Sequence, residues 1–506
     1  MQRREFMKAS GGAFWALTAV DSMLCARDVE KARKPSGPNL LFVFSDQQSW
    51  DMLGCYGNDQ IVTPNIDKLA ADGVRFNHCI SSCPVCTPYR GMLMSGQHPL
   101  YNGCMVNDIQ MLPGHGRYLG EVLRDAGYHT GYIGKWHLHG GRRRRGIPRG
   151  PLRYGFDDEF FSNNCALNYW ATHAFYWDDT GRRVKLGKFE PDGQTDQALA
   201  FLDRYAGKKP FALFVSWHPP HNWGRGYPAP AKYKKLYDPK TIKLRPSCRD
   251  TPRMRSDYQG YMALCSNVDD NFGRLLKKID EKGISRNTIV VYTSDHGDIL
   301  RSHGVLDWHK SRPEQVSCRV PLILRWPGTL SPRVSDMLVG TLDLMGTLLG
   351  LLKLQAPKTC QGIDHSDALM KGRDSETESV PLFFWGMKSD WRGVYTHRYT
   401  YAFEPDGATK GIEVLYDRQE DPHELKNLFA SPGHQKVRTE LHALTLKWMK
   451  KFHDDHIPWD KVKNEIYVDP AAARARWEPM FVKSAALKGR PIDLLKGSIS
   501  KNKAEL

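Results

Sequence analysis

The chain has 506 residues, enough for two or three domains at about 150 residues each. Its 41% hydrophobic and 25% charged residues are typical of a globular protein and exclude a fibrous or largely disordered chain. Lys and Arg number 72 against 56 Asp and Glu, which favours a polyanionic partner, although solubility alone accounts for the excess equally well. The basic run Arg142–Arg145 has no nucleic-acid-binding motif beside it, so we expect no nucleic-acid partner.

The first 26 residues are predicted to be an export signal. Arg3 and Arg4 precede a short apolar segment, GGAFWALTAV, and small residues near LCA are suitable for cleavage. This pattern resembles a twin-arginine signal, which predicts a bacterial protein exported in folded form, to the periplasm or out of the cell. A merely basic N-terminal helix is the alternative. The apolar run is too short to span a bilayer, and stable membrane insertion is not expected.

The chain then alternates between predicted strands and predicted helices. In chain order these are a strand at 39–46, a helix at 63–76 with a stop at Gly73, a helix followed by a strand within 116–137, strands at 211–217, 288–295 and 320–328, and a helix at 334–354. This alternation predicts an α/β fold with a large, mostly parallel, doubly wound sheet flanked by helices. Such sheets place their chemistry at the carboxyl ends of the strands.

The segment SSCPVCTPYRGMLMSG, residues 81–96, contains Cys83 and Cys86 in a C-x-x-C arrangement. A zinc site is weakly supported because no second C-x-x-C or C-x-x-H follows. A redox pair is compatible with Pro84 if the segment follows a strand and opens a helix. The 11 cysteines of the chain are too sparse for a disulfide framework. The spacing alone leaves the role of the pair open.

Side chains able to bind a metal ion follow two of the predicted strands. Asp46 and Gln47 lie at the end of strand 39–46, and Asp295 and His296 at the end of strand 288–295. A single strand-end Asp is more often a helix cap, but four oxygen or nitrogen donors at one edge favour a divalent cation. Cationic groups near other strand ends suit a tetrahedral anionic ester: Lys135, His137, His218, His221 and Lys310.

With these residues in place, the sequence resembles the type I, formylglycine-dependent sulfatases of the alkaline-phosphatase-like superfamily. The resemblance is carried by CTPYR (86–90) followed by SG (95–96), by GYHTGYIGKWH (127–137), and in family order by NLLFVFSDQQ, TPNIDKLAADGVRF, PPH, TSDHG, CRVPLILRWPG and VLYDRQEDPHELKNL. It covers about residues 38–450. It implies a catalytic domain at 38–375 and a smaller C-terminal α+β subdomain at 376–455. Residues 456–506 form an extension of unknown role, and the oligomeric state is not predicted.

The resemblance implies that Cys86 is oxidised to formylglycine by a dedicated maturation enzyme. The hydrate of this aldehyde is the family's nucleophile: one oxygen attacks sulfur, and the other expels sulfate and restores the aldehyde. Pro88 and Arg90 are expected to be read by the maturation enzyme, and Arg90 to hold the diol. Tyr89 and Gly91 depart from the small residues common at these positions, outside the invariant part of the motif, so we still expect modification.

The resemblance also implies a metal site. Its ligands are expected to be Asp46, Gln47, Asp295 and His296, together with the modified Cys86. Many members of the family have Asp where this chain has Gln47 and Asn where it has His296. Both changes keep a donor atom, and the lower ligand charge leaves calcium favoured over magnesium.

The remaining roles are expected as follows. Asp295 takes the proton of the attacking hydroxyl, and Lys135 binds a sulfate oxygen. His221, preferred over His218 by the family's PH pattern and helped by Lys310, protonates the departing alcohol. His137 takes the proton of the second hydroxyl as sulfate leaves. For His303 and His309, positions lining the pocket and positions behind it are equally compatible with the sequence.

The sequence leaves alternatives to a sulfatase open. The same scaffold serves phosphonate monoester and phosphodiester hydrolases, and a non-enzymatic binding module is a further, disfavoured alternative. The basic charge, Arg142–Arg145 and the aromatic residues Trp170, Tyr176 and Trp223 favour a sulfated polysaccharide or oligosaccharide as substrate. Ordinary packing explains these aromatic residues equally well. The sugar, the sulfate position and endo or exo action are not predicted.

Overall fold

The computed structural model describes residues 37–456, apart from 112, 115, 225, 306–308, 387–388 and 406–410. The predicted export signal at 1–26 and the extension after residue 456 lie outside the described residues. Among the described helices, none is long and apolar enough to cross a membrane.

The largest element of the fold is a mixed, mostly parallel sheet. In the described residues it contains β1 (Asn39–Asp46), β2 (Val74–Ile80), β3 (His129–Lys135), β4 (Glu159–Asn163), β5 (Phe175–Trp177), β6 (Arg183–Lys185), β7 (Phe211–Pro220), β8 (Thr288–Ser294), β9 (Arg319–Val320), β10 (Leu322–Arg325) and β11 (Arg333–Gly340). The strand order is β11-β2-β10-β8-β1-β7-β3-β4-β5-β6, with β9 beside β2. The five central strands from β8 to β4 run parallel, in a register that places Phe42 beside Phe214 and Val291.

Helices cover both faces of this sheet. The described helices are α1 (Pro64–Ala71), α2 (Cys86–Ser95), α3 (Pro99–Asn102), α4 (Leu119–Asp125), α5 (Glu190–Tyr205), α6 (Ala231–Lys234), α7 (Pro252–Glu281), α8 (Gln315–Cys318), α9 (Asp343–Leu351), α10 (Ser366–Met370) and α11 (Gln435–Lys451). Because side chains of a strand alternate between faces, Leu40 and Phe42 of β1 pack with α2, α4 and α9, whereas Leu41 and Val43 pack with α1, α5 and α7. The predicted doubly wound α/β fold is confirmed.

A second, smaller sheet follows in the chain. It is an antiparallel meander of β12 (Val380–Phe384), β13 (Trp391–Tyr395), β14 (Tyr399–Phe403) and β15 (Val414–Asp417), with α11 packed across it. Trp385 and Trp391 share an apolar cluster with Val85 and Met92, which flank and belong to α2. The small sheet therefore supports the helix that carries Cys86.

The predicted helix at 334–354 is wrong over its first half. Residues Arg333–Gly340 form β11, parallel to β2, and α9 begins only at Asp343. Met337, Leu338 and Val339 are all buried, so this segment is a buried strand whose apolar run cannot be told from a helix by periodicity alone. The parallel pairing of this segment with β2 makes it a strand rather than a helix.

Candidate active site

Adjacent parallel strands bring the predicted residues to one edge of the large sheet. Asp46 ends β1, Lys135 ends β3, Asp295 follows β8 directly, and His221 follows β7. Parallel neighbours have their carboxyl ends at the same edge, so these side chains converge. Helix α2 begins at this edge with Cys86, which is 1% exposed.

Cys86 lies among cationic groups. Its Sγ is 3.1 Å from Lys310 Nζ, 3.3 Å from His296 Nε2 and 3.7 Å from Asp46 Oδ1. Burial opposes ionisation of the thiol, but Lys135, Lys310 and His296 outweigh it and hold the pKa of Cys86 well below its ordinary value. The site therefore stabilises negative charge at the position of this side chain.

Cys83 has the opposite surroundings. Its side chain lies in the apolar cluster between α2 and the small sheet, and burial raises the pKa of its thiol above the ordinary range. All cysteines of the described residues are free thiols. The two members of the C-x-x-C pair are therefore chemically separate, and the structure gives Cys83 a packing role.

The predicted metal ligands form a compact cluster. One ligand atom from each of Asp46, Cys86, Asp295 and His296 lies within 4.8 Å of the others, and all four residues are buried. Gln47 adds an unpaired oxygen: its Nε2 donates to Asp298 Oδ2 at 2.6 Å, whereas its buried Oε1 has no hydrogen-bond partner among the described residues. An unpaired buried carbonyl oxygen is costly, so these oxygen-rich residues fit a hard divalent cation.

Arg90 and Lys135 neutralise the two carboxylates. Arg90 donates to Asp46 Oδ2 at 3.2 Å and to Asp295 Oδ2 at 3.1 Å, and Lys135 Nζ donates to Asp46 Oδ2. Burial and the neighbouring Asp46 raise the pKa of Asp295, whereas Lys135 helps to hold the pKa of Asp46 below its ordinary value despite burial. The guanidinium of Arg90 binds these carboxylates, and its expected contact with the diol of a modified Cys86 stays a prediction.

His221 and Lys310 form a pair beside Cys86. His221 Nδ1 donates to the carbonyl oxygen of Asn222 at 2.6 Å, which leaves Nε2 to accept from Lys310 Nζ at 2.9 Å. Burial and the charge of Lys310 lower the pKa of His221 to about 4. The imidazole is therefore neutral at neutral pH, with a proton donor bound to it.

His137 has acidic partners. Its Nε2 lies 3.0 Å from Asp108 Oδ1, and Asp108 in turn accepts two hydrogen bonds from Arg143. Burial opposes the charged imidazole, but the thiol group of Cys165 and the hydrogen bond to Asp108 outweigh it and raise the pKa of His137 to about 10.

The other predicted histidines have partners other than Lys310. His218 Nδ1 is 2.9 Å from Glu190 Oε1, so this ring is held by a buried carboxylate. His309 Nδ1 lies 3.0 Å from the hydroxyl of Tyr227 and 3.4 Å from Asp298 Oδ1, and Asp298 binds Gln47. The ring of His303 lies near Tyr416, with a centroid distance of 6.4 Å. Of His218, which lies within β7, and His221, which follows it, only His221 contacts Lys310 among the described residues.

The aromatic residues predicted to bind sugar differ in exposure. Tyr176 is fully buried, stacks on Phe161 with a centroid distance of 5.3 Å and donates to Glu190, so it cannot stack on a substrate. The prediction is wrong for this residue. Trp170 and Trp223 are 38% and 39% exposed, and the side chains of Arg142–Arg145 are exposed as well.

Two residues next to His137 were not predicted from the sequence. Cys165 lies two residues beyond the end of β4, and its buried thiol interacts with His137 and His218, which lower its pKa. The strand-end rule that found Asp46 could have found it. Asp108 lies in an irregular loop with no strand before it, and only the folded chain brings it to His137.

Comparison with known proteins agrees with this geometry. Residues 38–354 match the family model "Sulfatase", and residues 303–451 match "N-sulphoglucosamine sulphohydrolase, C-terminal". The chain is 32% identical to an ulvan-active sulfatase from Formosa agariphila, with 92% of both chains covered, and 28% identical to an endo-4-O-sulfatase from Bacteroides thetaiotaomicron, with 81% of this chain and 92% of the relative covered.

A crystal structure described as that of a sulfatase, yidJ, from Bacteroides fragilis has the same fold. It superposes with a TM-score of 0.75 at 31% identity and covers 84% of this chain and 97% of its own. The strand order, the edge that carries Cys86 and these matches agree with one another. The chain belongs to the sulfatase family of the alkaline-phosphatase-like superfamily, whose members are sulfuric ester hydrolases.

Proposed function

We propose that the protein removes sulfate from a sulfated polysaccharide or its oligosaccharides, with Cys86 converted to formylglycine as the nucleophile precursor. The observation that carries this proposal is the setting of Cys86: a buried side chain at the start of α2, in contact with Lys310 and His296. The two relatives named above act, by their names, on ulvan and on 4-O-sulfate groups. Exposed Arg142–Arg145 supply positive charge suited to an anionic sugar chain.

The metal ligands of the proposal are Asp46, Gln47, Asp295 and His296, with the modified Cys86 beside them. A bound calcium ion would supply positive charge for the nucleophile and for a sulfate oxygen. The mixed set of carboxylate, amide and imidazole donors, with the free Oε1 of Gln47, supports calcium, whose coordination is more adaptable than that of magnesium.

The nucleophile requires a partner enzyme that converts the Cys86 thiol to an aldehyde. As its hydrate, this group would supply two hydroxyls, one that bonds to sulfur and one whose O–H electrons re-form the C=O bond while the C–O bond to sulfate breaks. Asp295, whose pKa is raised by burial and by Asp46, accepts the proton of the attacking hydroxyl. Lys135, buried beside Asp46, binds a sulfate oxygen.

Two histidines handle the remaining protons. His221 receives a proton at Nε2 from the Lys310 ammonium and passes it to the departing alcohol oxygen, which leaves Lys310 neutral. His137 takes the proton of the second hydroxyl as sulfate leaves. Arg90 keeps Asp46 and Asp295 in place through its two salt bridges.

Two experiments test the proposed function. Mass spectrometry of the Cys86 peptide, from protein made in its own host, should show the aldehyde; an unmodified thiol would count against catalysis. Rates on matched aryl sulfate and aryl phosphonate esters should favour sulfate; a dominant phosphonate rate would identify a phosphonate or phosphodiester hydrolase instead. A panel of sulfated oligosaccharides then identifies the sugar, and activity confined to small esters would contradict the polysaccharide.

We also propose that the protein is exported through the signal at residues 1–26. Fractionation of the host, with Arg3 and Arg4 both replaced by Lys as the control, should find the protein outside the cytoplasm only when the arginine pair is intact. Equal export of the variant would contradict the twin-arginine route.

A further inference from the structure

Asp108 links the exposed basic loop to the imidazole of His137. Asp108 Oδ1 lies 3.0 Å from His137 Nε2, and Arg143 donates from Nε to Oδ1 at 2.9 Å and from Nη2 to Oδ2 at 2.6 Å. An ionised carboxylate only accepts hydrogen bonds, so Nε2 of His137 carries a proton. Nδ1 is then the ring nitrogen that does not face Asp108, and it is buried.

The backbone around this contact is fixed relative to the nucleophile. Thr87, next to Cys86, donates its hydroxyl to the carbonyl oxygen of His137 at 2.8 Å and its amide to Asn107 Oδ1 at 3.0 Å. His137 and Asp108 both have positive φ, 56° and 65°, a conformation that costs free energy for residues other than glycine. The chain keeps two unfavourable backbone conformations at the two residues that meet.

The basic loop completes the clamp. The carbonyl oxygen of Arg143 accepts from the amide of Cys165 at 2.9 Å, while its guanidinium holds Asp108. One residue thus holds two neighbours of His137. Its neighbour Arg142 is also exposed but makes no salt bridge within the described part of the chain.

We propose that Asp108, clamped by Arg143, is a positioning residue that fixes the orientation of the His137 imidazole beside the Cys86 group through its contact with Nε2. This inference rests on the proposed function, because it assumes the role of His137 in sulfate release. Carboxylates that orient a reacting or ligating histidine typically affect activity 10- to 100-fold, about what we expect here.

The kinetic test compares Asp108→Ala and Asp108→Asn with the wild type, each normalised to the formylglycine content of its Cys86 peptide. We expect kcat to fall about 10- to 100-fold with KM nearly unchanged, because the substrate is still bound but His137 is misplaced. Arg143→Ala should lower kcat less, and the matched control Arg182→Ala, which removes an exposed arginine paired with Asp178, should not lower it. A rise in KM with kcat intact would overturn the proposal in favour of a sugar-binding role, and unchanged kinetics would overturn it outright.

A second readout is independent of activity. In Cys86→Ser protein labelled with ¹⁵N-histidine, the Nε2–H proton of His137, buried and bonded to Asp108, should give a resolved imidazole N–H resonance that disappears when Asp108→Ala is added. Persistence of that resonance would overturn the proposal. Circular dichroism checks the fold, and Asp108→Asn keeps the side-chain size if the alanine variant is unstable. If the wild type hydrolyses no sulfate ester, the proposed function fails. The N–H resonance still shows whether Asp108 binds His137 in solution.

Discussion

The two sides of Cys86 have opposite electrostatics. On one side, His221 faces Lys310, and burial with that positive charge lowers its pKa to about 4. On the other, His137 faces Asp108 and Cys165, which overcome burial and raise its pKa to about 10. A neutral ring of low proton affinity readily passes on a proton that Lys310 donates to it, whereas a ring of high proton affinity keeps one. In the proposed mechanism, the same residue type thus serves two proton transfers because its partners differ.

Removing the nucleophile precursor should eliminate the chemistry that both sides serve. Cys86→Ala is expected to lower kcat on the order of 10⁴-fold or more, since no other side chain can replace the hydrate. The matched control is Cys83→Ala, which removes a buried sulfur from an apolar cluster and should retain kcat while lowering thermal stability. Comparable loss of activity in both variants would indicate that Cys83 and Cys86 function together.

Removing the cation should affect both sides together. Dialysis against a chelator is expected to lower kcat at least about 10-fold and to lower Tm, because Asp46 and Asp295 then face each other without it. Calcium should restore both better than magnesium. Asp46→Asn serves as a reference because it lacks one carboxylate of the proposed metal site. Full activity after verified metal removal would contradict a role for the metal ion in catalysis.

The leaving group should separate the two histidines. His221→Asn is expected to lower kcat about 10²- to 10⁴-fold on sugar sulfates and much less on nitrophenyl sulfate, whose departing oxygen needs no proton. His137→Asn should lower kcat by a similar factor for both substrates, because it acts after the alcohol has left. The measurement is kcat across a series of sulfate esters graded by leaving-group pKa. If log kcat depended on leaving-group pKa with the same slope in both variants, the two histidines would not act at different steps.

The smallest effect on activity is expected far from both histidines. Glu424 is buried and accepts hydrogen bonds from the Gln315 amide and the Thr400 hydroxyl. Its burial raises its pKa to about 7. The native state therefore keeps a proton that the unfolded chain loses near pH 4.5, and this stability is lost as pH rises toward 7. Denaturant unfolding should show wild type losing up to about 3 kcal/mol relative to Glu424→Gln between pH 4.5 and 7.5, with kcat similar in both. A constant difference would contradict the raised pKa.

Several central strands and the edge of the sheet that carries the site could be predicted because buried parallel strands are short apolar runs with polar residues at one end. Asp46 and Asp295 were found in this way, and the central strands confirm the expected fold. The boundary between β11 and α9 could not be found, since an apolar run suits both states and only pairing with β2 distinguishes them. The domain boundaries and residue roles taken from the family resemblance stay predictions.

Contacts between distant loops were beyond the reach of sequence patterns. Asp108 and Arg143 are separated in the chain from His137 by irregular segments, and no periodicity relates them. Tyr176 shows the reverse error, because an aromatic residue between motifs suggested a surface that the fold buries. Strand ends are local features, whereas the partners of a loop depend on the whole fold.

The burial of α2 also has a consequence for the life history of the enzyme. Every residue of Cys86–Ser95 is buried, including those that a maturation enzyme would read. Because this helix is buried in the native chain, the proposed oxidation of Cys86 would have to be finished before the polypeptide folds. Chains that fold too early would be permanently inactive although structurally normal. The fraction of active enzyme in a preparation would then depend on the relative rates of Cys86 oxidation and of folding during synthesis. Later exposure of the folded protein to the maturation enzyme could not change that fraction.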